Sequence, residues 1–159
     1  NSLRKIKVDW IIVGDGRKFK WLKNEVKKKN LNQNFHLLGA KSLNEMPSYY
    51  KIADLMLITL KDEEIFSLTV PAKTQSYFAS GKIIAGMING ETQKVINNSN
   101  AGFAVNAGDF KKLAYKIIEH HNLSDNRKKI MKENSYQYYQ KNYRRDVLLE
   151  NFEKYLNNL

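Results

Sequence analysis

Five short apolar runs recur along the chain, and each is followed by a turn and then by a segment with helical spacing. Continuous apolar runs of this length are typical of strands that are buried on both faces of a parallel sheet. Strands that alternate with helices predict an α/β fold with a Rossmann-like, mostly parallel sheet flanked by helices. The five predicted strands are Val8–Val13, Phe35–Leu38, Asp54–Leu60, Lys82–Ile88 and Gly102–Val105.

Capping residues locate several of the helices. Ser42 and Glu45 have the spacing of a capping box and predict a helix that begins there. Asp109 and Ser124 are the predicted N-caps of two further helices, and a last amphipathic helix is predicted from Asp146 to Leu159. We expect the tyrosines near the end of the chain to pack these terminal helices, and base stacking is the alternative. They are Tyr136, Tyr138, Tyr139 and Tyr143.

The composition narrows the classes of function. A chain of 159 residues has the length of one domain, which we predict to span residues 1–159. The absence of cysteine excludes disulfides and thiolate metal sites, and three histidines are too few for a metal site, so no bound metal is predicted. No apolar run reaches the roughly 20 residues that a transmembrane helix needs. The net charge of +11 favours anionic partners, namely nucleotides, nucleic acid or an anionic membrane surface.

Part of this charge lies in a basic amphipathic helix, which is predicted from Phe19 to about Asn30. Phe19, Trp21, Leu22 and Val26 are its apolar residues, and lysines surround them. A lysine-rich helix face is ordinarily just solvated, so the charge alone does not identify a partner.

The segment Ser67–Gly81 joins the third predicted strand to a helix. Pro71 is predicted to occupy the first helical position, where its missing N–H would have no helical partner, and Thr69 is predicted to cap the exposed amides. Gly81 is predicted to end the helix. The side chains predicted to point inward are Val70, Ala72, Tyr77, Phe78 and Ala79.

A strand followed by a small polar loop and a helix N-terminus directs free amides and the helix dipole to one point. Lys73, in the first turn of the predicted helix, opposes that dipole, and a bound phosphate would explain its presence. The alternative is an ordinary strand-to-helix crossover with a solvated lysine.

Four loops follow the predicted strands and are expected to cluster at one edge of the sheet, because ligands of parallel sheets lie beyond the carboxyl ends of the strands. This predicts a nucleotide-sized cleft with a phosphate position at Ser67–Thr69. The first loop, Gly14–Gly16, lacks the third glycine of a dinucleotide fingerprint, so the alternative is that its glycines only form a turn. The loops are Gly14–Gly16, Gly39–Lys41, Lys61–Thr69 and Asn89–Glu91.

Six motifs, taken in order and spacing, resemble the C-terminal half of the family-four, GT-B-fold retaining glycosyltransferases. The PAKTQSY version of the fourth motif is most similar to the subgroup that builds bacterial surface polysaccharides, typified by fucosamine and colanic-acid-type transferases. The motifs are IIVGDG (Ile11–Gly16), FHLLG (Phe35–Gly39), MPSYYKIAD (Met46–Asp54), VPAKTQSYFASGK (Val70–Lys82), NGE (Asn89–Glu91) and AGFAVNAGD (Ala101–Asp109).

The resemblance implies a domain that binds a nucleotide-diphosphate sugar, with a UDP-linked donor expected and no cofactor. It places the base at Gly39–Lys41, the nucleotide pocket along Gly14–Gly16, and the sugar and diphosphate against the backbone amides of Phe66–Thr69. Lys73 would stabilise the leaving diphosphate, and no other catalytic residue is assigned. The implied donor-binding residues are Gly14, Asp15, Gly16, Gly39, Ala40, Lys41, Phe66, Ser67, Leu68, Thr69, Lys73, Gln75, Ser76 and Glu91.

The sequence departs from the family pattern at its paired glutamates. These would fall at Leu68 and Ser76, and neither residue is acidic. Gln75 or Ser76 could hydrogen-bond the ribose in place of the second glutamate, less strongly than a carboxylate. Glu91 and Asp62–Glu64 are the remaining candidates for a carboxylate near the sugar.

A second departure lies upstream. The family's phosphate-clamping arginine and lysine precede everything present in this chain, and Arg4 and Lys5 do not sit in that pattern. The resemblance therefore implies a fragment that lacks the N-terminal acceptor domain and is inactive alone. The full-length enzyme is expected in the cytoplasm, with peripheral association with the inner face of the membrane. It would act on a saccharide or lipid-linked acceptor in bacterial polysaccharide or glycoconjugate synthesis.

Three other readings stay open. A GT-B-fold nucleotide-sugar epimerase would share the pocket but process the donor itself. A basic nucleic-acid-binding module is suggested by the charge and the tyrosines, although no recognition motif is present and no nucleic acid is expected as a partner. The third is a non-catalytic domain that uses the fold only for docking.

Overall fold

The computed structural model describes residues 6–158 and shows two compact units, one that ends at Tyr49 and one that begins at Tyr50. Arg4 and Lys5 lie outside the described residues. No helix in the described part of the chain has the length and apolar composition needed to cross a membrane.

The first unit contains a pair of parallel strands joined by a helix. Strand β1 (Trp10–Val13) pairs with β2 (Phe35–Gly39) in the register Trp10 opposite Phe35, and the two rings stack with their centroids 5.9 Å apart. Helix α1 (Phe19–Lys28) joins the strands. A short 3₁₀ turn (Leu43–Glu45) leads into α2 (Met46–Ile52), which crosses the division between the units.

The second unit is built on three parallel strands in the order β3–β4–β5. The strands are β3 (Leu55–Thr59), β4 (Ile83–Met87) and β5 (Gly102–Val105). The helices that follow them are α3 (Glu64–Ser67), α4 (Ala72–Ala79), α5 (Glu91–Asn98), α6 (Phe110–His121), α7 (Asp125–Asn142) and α8 (Arg145–Leu156).

The central strand β4 and helix α4 carry the core of the second unit. Phe78 on α4 is fully buried and packs with buried residues from β3, β4 and α5. Two tyrosines from the end of the chain cover it, with ring centroids 4.8 Å (Tyr138) and 6.0 Å (Tyr143) from that of Phe78. The predicted packing role is confirmed for Tyr138, Tyr139 and Tyr143, which pack against the core, and it is wrong for Tyr136, which is 50% exposed. The rest of the cluster is Ile58, Ile84, Ile88, Ile96 and Ala101.

The structure confirms the α/β class and the parallel strand directions, and it corrects the expectation of one continuous sheet. Hydrogen bonding divides the five strands into a two-stranded and a three-stranded sheet. An apolar run reports that a strand is buried, but it does not report which strand lies beside it. The apolar pattern therefore could not predict how many sheets the strands form.

Capping residues act largely as predicted. The Asp109 carboxylate accepts from the Lys112 N–H at 3.0 Å, and the Ser124 hydroxyl accepts from the Arg127 N–H at 3.3 Å. The helix predicted to begin at Ser42 starts with the 3₁₀ turn, and α2 follows it.

At that turn the Glu45 carboxylate accepts from the N–H of Ser42 at 3.0 Å and from its hydroxyl at 2.8 Å. These hydrogen bonds stabilise the ionised carboxylate, so they lower the pKa of Glu45.

The start of α4 differs from the prediction. Pro71 is the N-cap with an extended backbone (φ −59°, ψ 141°), so the first helical residue is Ala72. The Thr69 hydroxyl does not cap α4, because it donates to the carbonyl of Ile65 at 3.3 Å. Ala72 is exposed, and the buried residue of this first turn is Thr74.

The end of α4 is as predicted. Gly81 has a left-handed backbone (φ +62°) and donates its N–H to the Phe78 carbonyl at 3.0 Å, while the Lys82 N–H reaches the Tyr77 carbonyl at 3.4 Å. These two bonds form a Schellman motif. The Lys82 ammonium then caps another helix end, since it donates to the carbonyls of Lys51 and Ala53, both at 2.8 Å.

The buried aromatic cluster around Phe78 should dominate the stability of the second unit. Phe78→Ala is expected to lower the free energy of unfolding by about 3–5 kcal/mol, because it leaves a cavity beneath two tyrosine rings. Urea unfolding followed by circular dichroism measures the loss. Tyr136→Ala is the control, since Tyr136 is 50% exposed, and it should cost less than about 1 kcal/mol. Equal losses for the two variants would contradict this account of the core.

His120 should make stability depend on pH. Its side chain is buried beside Phe103, and its Nε2 atom has no hydrogen-bond partner among the described residues. Burial lowers the pKa of His120, the nearby charges of Lys128, His121 and Lys132 lower it further, and Asp54 opposes them.

Because the folded state resists protonation of His120, the unfolded state binds more protons below its ordinary pKa of 6.5. The free energy of unfolding should therefore fall as the pH drops below that value, with a slope of at most about 1.4 kcal/mol per pH unit from this one group. Chemical unfolding at several pH values measures the slope. His120→Leu should flatten it, whereas His121→Gln, which removes one of the smaller contributions to the lowered pKa of His120, should change it much less. The same slope in His120→Leu as in the unmutated chain would refute this role.

Candidate functional site

Asn89 links the loops that follow all three strands of the second unit. It comes two residues after the end of β4, and its Nδ2 atom donates to the Asp62 carboxylate in the loop after β3 at 2.7 Å. Its Oδ1 atom accepts from the N–H of Ala107, in the turn after β5, at 3.0 Å. One carboxamide therefore joins three loops at the carboxyl edge of this sheet. Within the second unit, the predicted clustering of loops at one edge is confirmed.

The turn between β4 and α5 also contacts the segment that leads into α4. A Cβ placed on Gly90 would lie 1.9 Å from the carbonyl oxygen of Ser67, and the Gly90 backbone is left-handed (φ +76°). The buried Thr92 donates its hydroxyl to the carbonyl of Thr69 at 2.8 Å. Backbone contact at Gly90 and a side-chain hydrogen bond at Thr92 thus fix the position of residues 67–69.

The segment Lys61–Thr69, predicted as a loop, contains the one-turn helix α3. The Ser67 hydroxyl donates to the Glu64 carbonyl at 2.7 Å, as Thr69 does to Ile65. Serine and threonine often make such local bonds to preceding carbonyls. A single turn is too short to show a helical period in the sequence, which is why it was missed.

The N-terminus of α4 emerges from this segment. The first amide of the helix that has a backbone partner is the Thr74 N–H, which donates to the Pro71 carbonyl at 2.8 Å. Lys73 is exposed in the first turn, and Ser76 lies three residues later on the same exposed side. Gln75 is also exposed but points to the other side of the helix, so Lys73 and Gln75 do not face the same point.

The residues at the family's glutamate positions are both on the surface. Leu68 is 68% exposed, and Ser76 is exposed on α4. Phe66, the first residue of the predicted sugar-binding loop, is half-buried in α3.

Three of the four candidate carboxylates of this unit have a polar partner. Glu91, in the first turn of α5, lies 2.7 Å from the Lys94 ammonium, and Glu63 lies 3.2 Å from that of Lys61. Asp62 accepts from Asn89. All of these groups are exposed enough for their pairs to exchange with water or with a ligand.

In the first unit, the loops after β1 and β2 lie side by side. The Gly14 N–H donates to the Gly39 carbonyl at 2.7 Å, and both glycines have a left-handed backbone (φ +128° and +69°). No described atom outside the adjacent residues lies within 4 Å of a Cβ position on Gly14, Gly16 or Gly39. The glycines therefore leave open space beside their backbone, as close approach of a ligand requires.

The other candidate residues of these loops are on the surface. Asp15, Gly16, Ala40 and Lys41 are exposed, and the Lys41 ammonium lies 4.0 Å from the Glu45 carboxylate. Among the described residues, no group of three or more histidine, aspartate or glutamate side chains could hold a metal ion.

The functional residues that sequence reasoning missed are those that hold the loops together. The segment Asn89–Glu91 was predicted to lie at the edge, but the hydrogen bonds of Asn89 and Thr92 were not. Asn106, in the turn after β5, accepts from Gln93 at 3.0 Å through its Oδ1 atom, and this hydrogen bond was not predicted either. The one available signal was position, since asparagines follow both β4 and β5.

Comparison with known proteins identifies this architecture. The family model described as glycosyl transferases group 1 matches residues 1–138. The chain belongs to this family. No curated protein sequence matches it.

Several solved structures share the fold of this chain. HepE from Anabaena, solved in complex with UDP-glucose, has a TM-score of 0.77 and 19% identity over 96% of this chain and 41% of its own. A glycosyltransferase from Rickettsia africae has a TM-score of 0.77 and 21% identity over 96% of this chain and 40% of its own. The C-terminal domain of LpcC, a group 1 protein from Francisella tularensis, has a TM-score of 0.69 and 21% identity over 91% of this chain and 74% of its own.

These likenesses establish the fold of a GT-B glycosyltransferase C-terminal domain. The chain spans about two fifths of the length of HepE and of the Rickettsia enzyme.

The contact between Gly90 and Ser67 leads to a stability prediction. Gly90→Ala is expected to cost roughly 2–4 kcal/mol, because the new Cβ meets a backbone carbonyl and the left-handed conformation is strained. Thermal or urea unfolding measures the cost. Gly16→Ala is the matched control, since its Cβ would meet open space, and it should change stability by less than about 0.5 kcal/mol. If Gly90→Ala were as stable as this control, the close approach of the two loops would be refuted.

Proposed function

We propose that this chain is the donor-binding domain of a retaining glycosyltransferase that uses a nucleotide-diphosphate sugar, with UDP as the expected nucleotide. The observation that carries the proposal is the convergence of the loops after β3, β4 and β5, through Asn89, beside the start of α4. Ligands of parallel α/β sheets bind beyond the carboxyl ends of the strands, where these loops lie.

The comparisons support this proposal in two ways. The chain belongs to the glycosyl transferases group 1 family, and HepE, which has the same fold, was solved with UDP-glucose. The pneumococcal O-GlcNAc transferase GtfA, which has a TM-score of 0.76 to this chain at 16% identity over 99% of it and 31% of its own length, was solved with UDP and GlcNAc.

The chemistry assigned to the second unit is stabilisation of the departing diphosphate. The free amides and dipole at the start of α4 favour an anion, and the exposed Lys73 adds a full positive charge on the same turn. Ser76 shares the side of Lys73 and is therefore a better candidate than Gln75 for a ribose or phosphate oxygen. Glu91 is assigned to the sugar, once its pair with Lys94 opens.

The loops of the first unit are assigned to the nucleotide. Gly14 and Gly16, with Asp15 between them, offer backbone that a ribose or phosphate can approach closely. Gly39, Ala40 and Lys41 are assigned to the base. Metal is not part of the proposed mechanism, and the donor is bound by the chain alone.

For the whole enzyme we propose transfer of a hexosyl or N-acetylhexosaminyl group to a saccharide or lipid-linked acceptor. The setting would be synthesis of a bacterial surface polysaccharide or glycoconjugate in the cytoplasm, as in the fucosamine and colanic-acid-type subgroup. The acceptor would be held by a further domain, so this chain alone should bind the donor without transferring it.

Calorimetric titration of the chain with UDP, GDP, ADP and dTDP tests the proposal. UDP is expected to bind most tightly, and Lys73→Ala should weaken its binding by about tenfold or more, because a hydrogen bond to a charged group is worth about 1.5–3 kcal/mol. Uridine, which has no phosphate, should bind the variant and the unmutated chain equally.

Lys111→Ala is the matched control, since it removes an exposed lysine from the first turn of α6. It should leave the affinity for UDP unchanged. The absence of binding by any of the four diphosphates would reject the proposed function. Binding of UDP that is unaffected by Lys73→Ala would reject the role of Lys73 alone.

A further inference from the structure

The segment that contains α1 carries a large share of the chain's net charge. Residues 17–29 include seven basic residues and one acidic residue, a net charge of +6 out of +11 for the whole chain. The acidic residue is Glu25. The basic residues are Arg17, Lys18, Lys20, Lys23, Lys27, Lys28 and Lys29.

These positive charges are almost unneutralised in the structure. All seven side chains are exposed, and Lys29 lies 3.9 Å from the Glu25 carboxylate. None of the other six has a carboxylate within 4.0 Å in the part of the chain that the structure describes. Such a surface attracts a polyanion over about a Debye length.

An exposed tryptophan lies in the middle of this charge. Trp21 is 59% exposed, whereas tryptophan is highly buried on average. Helical spacing puts it on the side opposite the buried Val26, with the N-cap Lys18 one turn before it, Glu25 one turn after it and Lys28 two turns after it. The Lys18 ammonium lies 5.8 Å from the ring centroid.

We infer that α1 is a membrane-docking helix that binds anionic phospholipid headgroups, with Trp21 inserted at the level of the headgroups. Basic residues attract an anionic leaflet, and tryptophan prefers the interface between lipid and water. Val26 is buried, so the side of α1 that carries Trp21 is the side that contacts the membrane.

The arrangement favours a lipid surface over a nucleic acid. A helix that presents a single exposed aromatic among basic side chains has a convex surface, which suits contact with a plane of headgroups. Single strands are held instead by a basic groove lined with several stacking aromatics. Trp21 is the one aromatic among the exposed residues of α1. The inference goes beyond donor binding and does not depend on it.

The test is co-sedimentation of the full chain with vesicles made of equal parts phosphatidylglycerol and phosphatidylcholine. The chain should bind these vesicles and should not bind pure phosphatidylcholine. The triple substitution Arg17→Gln, Lys20→Gln and Lys28→Gln should lower the partition coefficient by about 100-fold, from the loss of three charges near the surface. Trp21→Ala should lower it by about tenfold and should also remove the blue shift of tryptophan emission that accompanies binding.

A charge-matched control separates this site from the overall positive charge. The triple substitution Lys111→Gln, Lys112→Gln and Arg127→Gln removes three exposed charges from α6 and α7. It should reduce binding no more than about threefold, since these charges lie on other helices. Equal losses for the two triple variants would overturn the inference. Tighter binding to duplex or single-stranded DNA at the same salt concentration, unaffected by Trp21→Ala, would also overturn it and would identify a nucleic-acid surface.

Discussion

The carboxamide of Asn89 holds together the edge on which the candidate site depends. Its Nδ2 atom donates to the Asp62 carboxylate, and its Oδ1 atom accepts from the N–H of Ala107 in the turn after β5. An amide is the side chain suited to this position because it offers a donor and an acceptor at once, whereas an aspartate would place a second negative charge beside Asp62. The three loops are therefore positioned by a side chain that is itself neutral and adds no charge to the edge.

Helix α4 connects that edge to the core. Its first turn presents Lys73 to solvent, and its second turn buries Phe78 beneath the tyrosines of α7 and its C-terminal end. The amides at its start can be held in place because the other end of the same short helix is fixed by aromatic packing and by the Schellman motif at Gly81. Groups that bind a ligand on a rigid element lose little freedom when they do so.

Much of the fold could be predicted from the sequence, because strands such as β4 are apolar throughout and because Gly81, Asp109 and Ser124 have local conformational reasons to be where they are. The division into two sheets could not be predicted, since an apolar run does not indicate which strand pairs with which. The errors near the site share one cause. Thr69 and Pro71 satisfy the rules for a helix start, but the hydroxyl bonds to a carbonyl of α3, a turn too short to leave a period in the sequence. Which residues form the loops was predictable, whereas the hydrogen bonds that join them were not.

The close approach of Gly90 to the backbone of Ser67 bears on how distant relatives are matched to one another. At 16–21% identity, as for the four solved structures named above, many different alignments of a loop score about equally well. A position where any side chain would collide with a carbonyl oxygen admits one residue type as long as the two loops keep their places. Gly90 therefore provides a fixed point from which the residues on either side can be compared between proteins whose sequences have otherwise diverged.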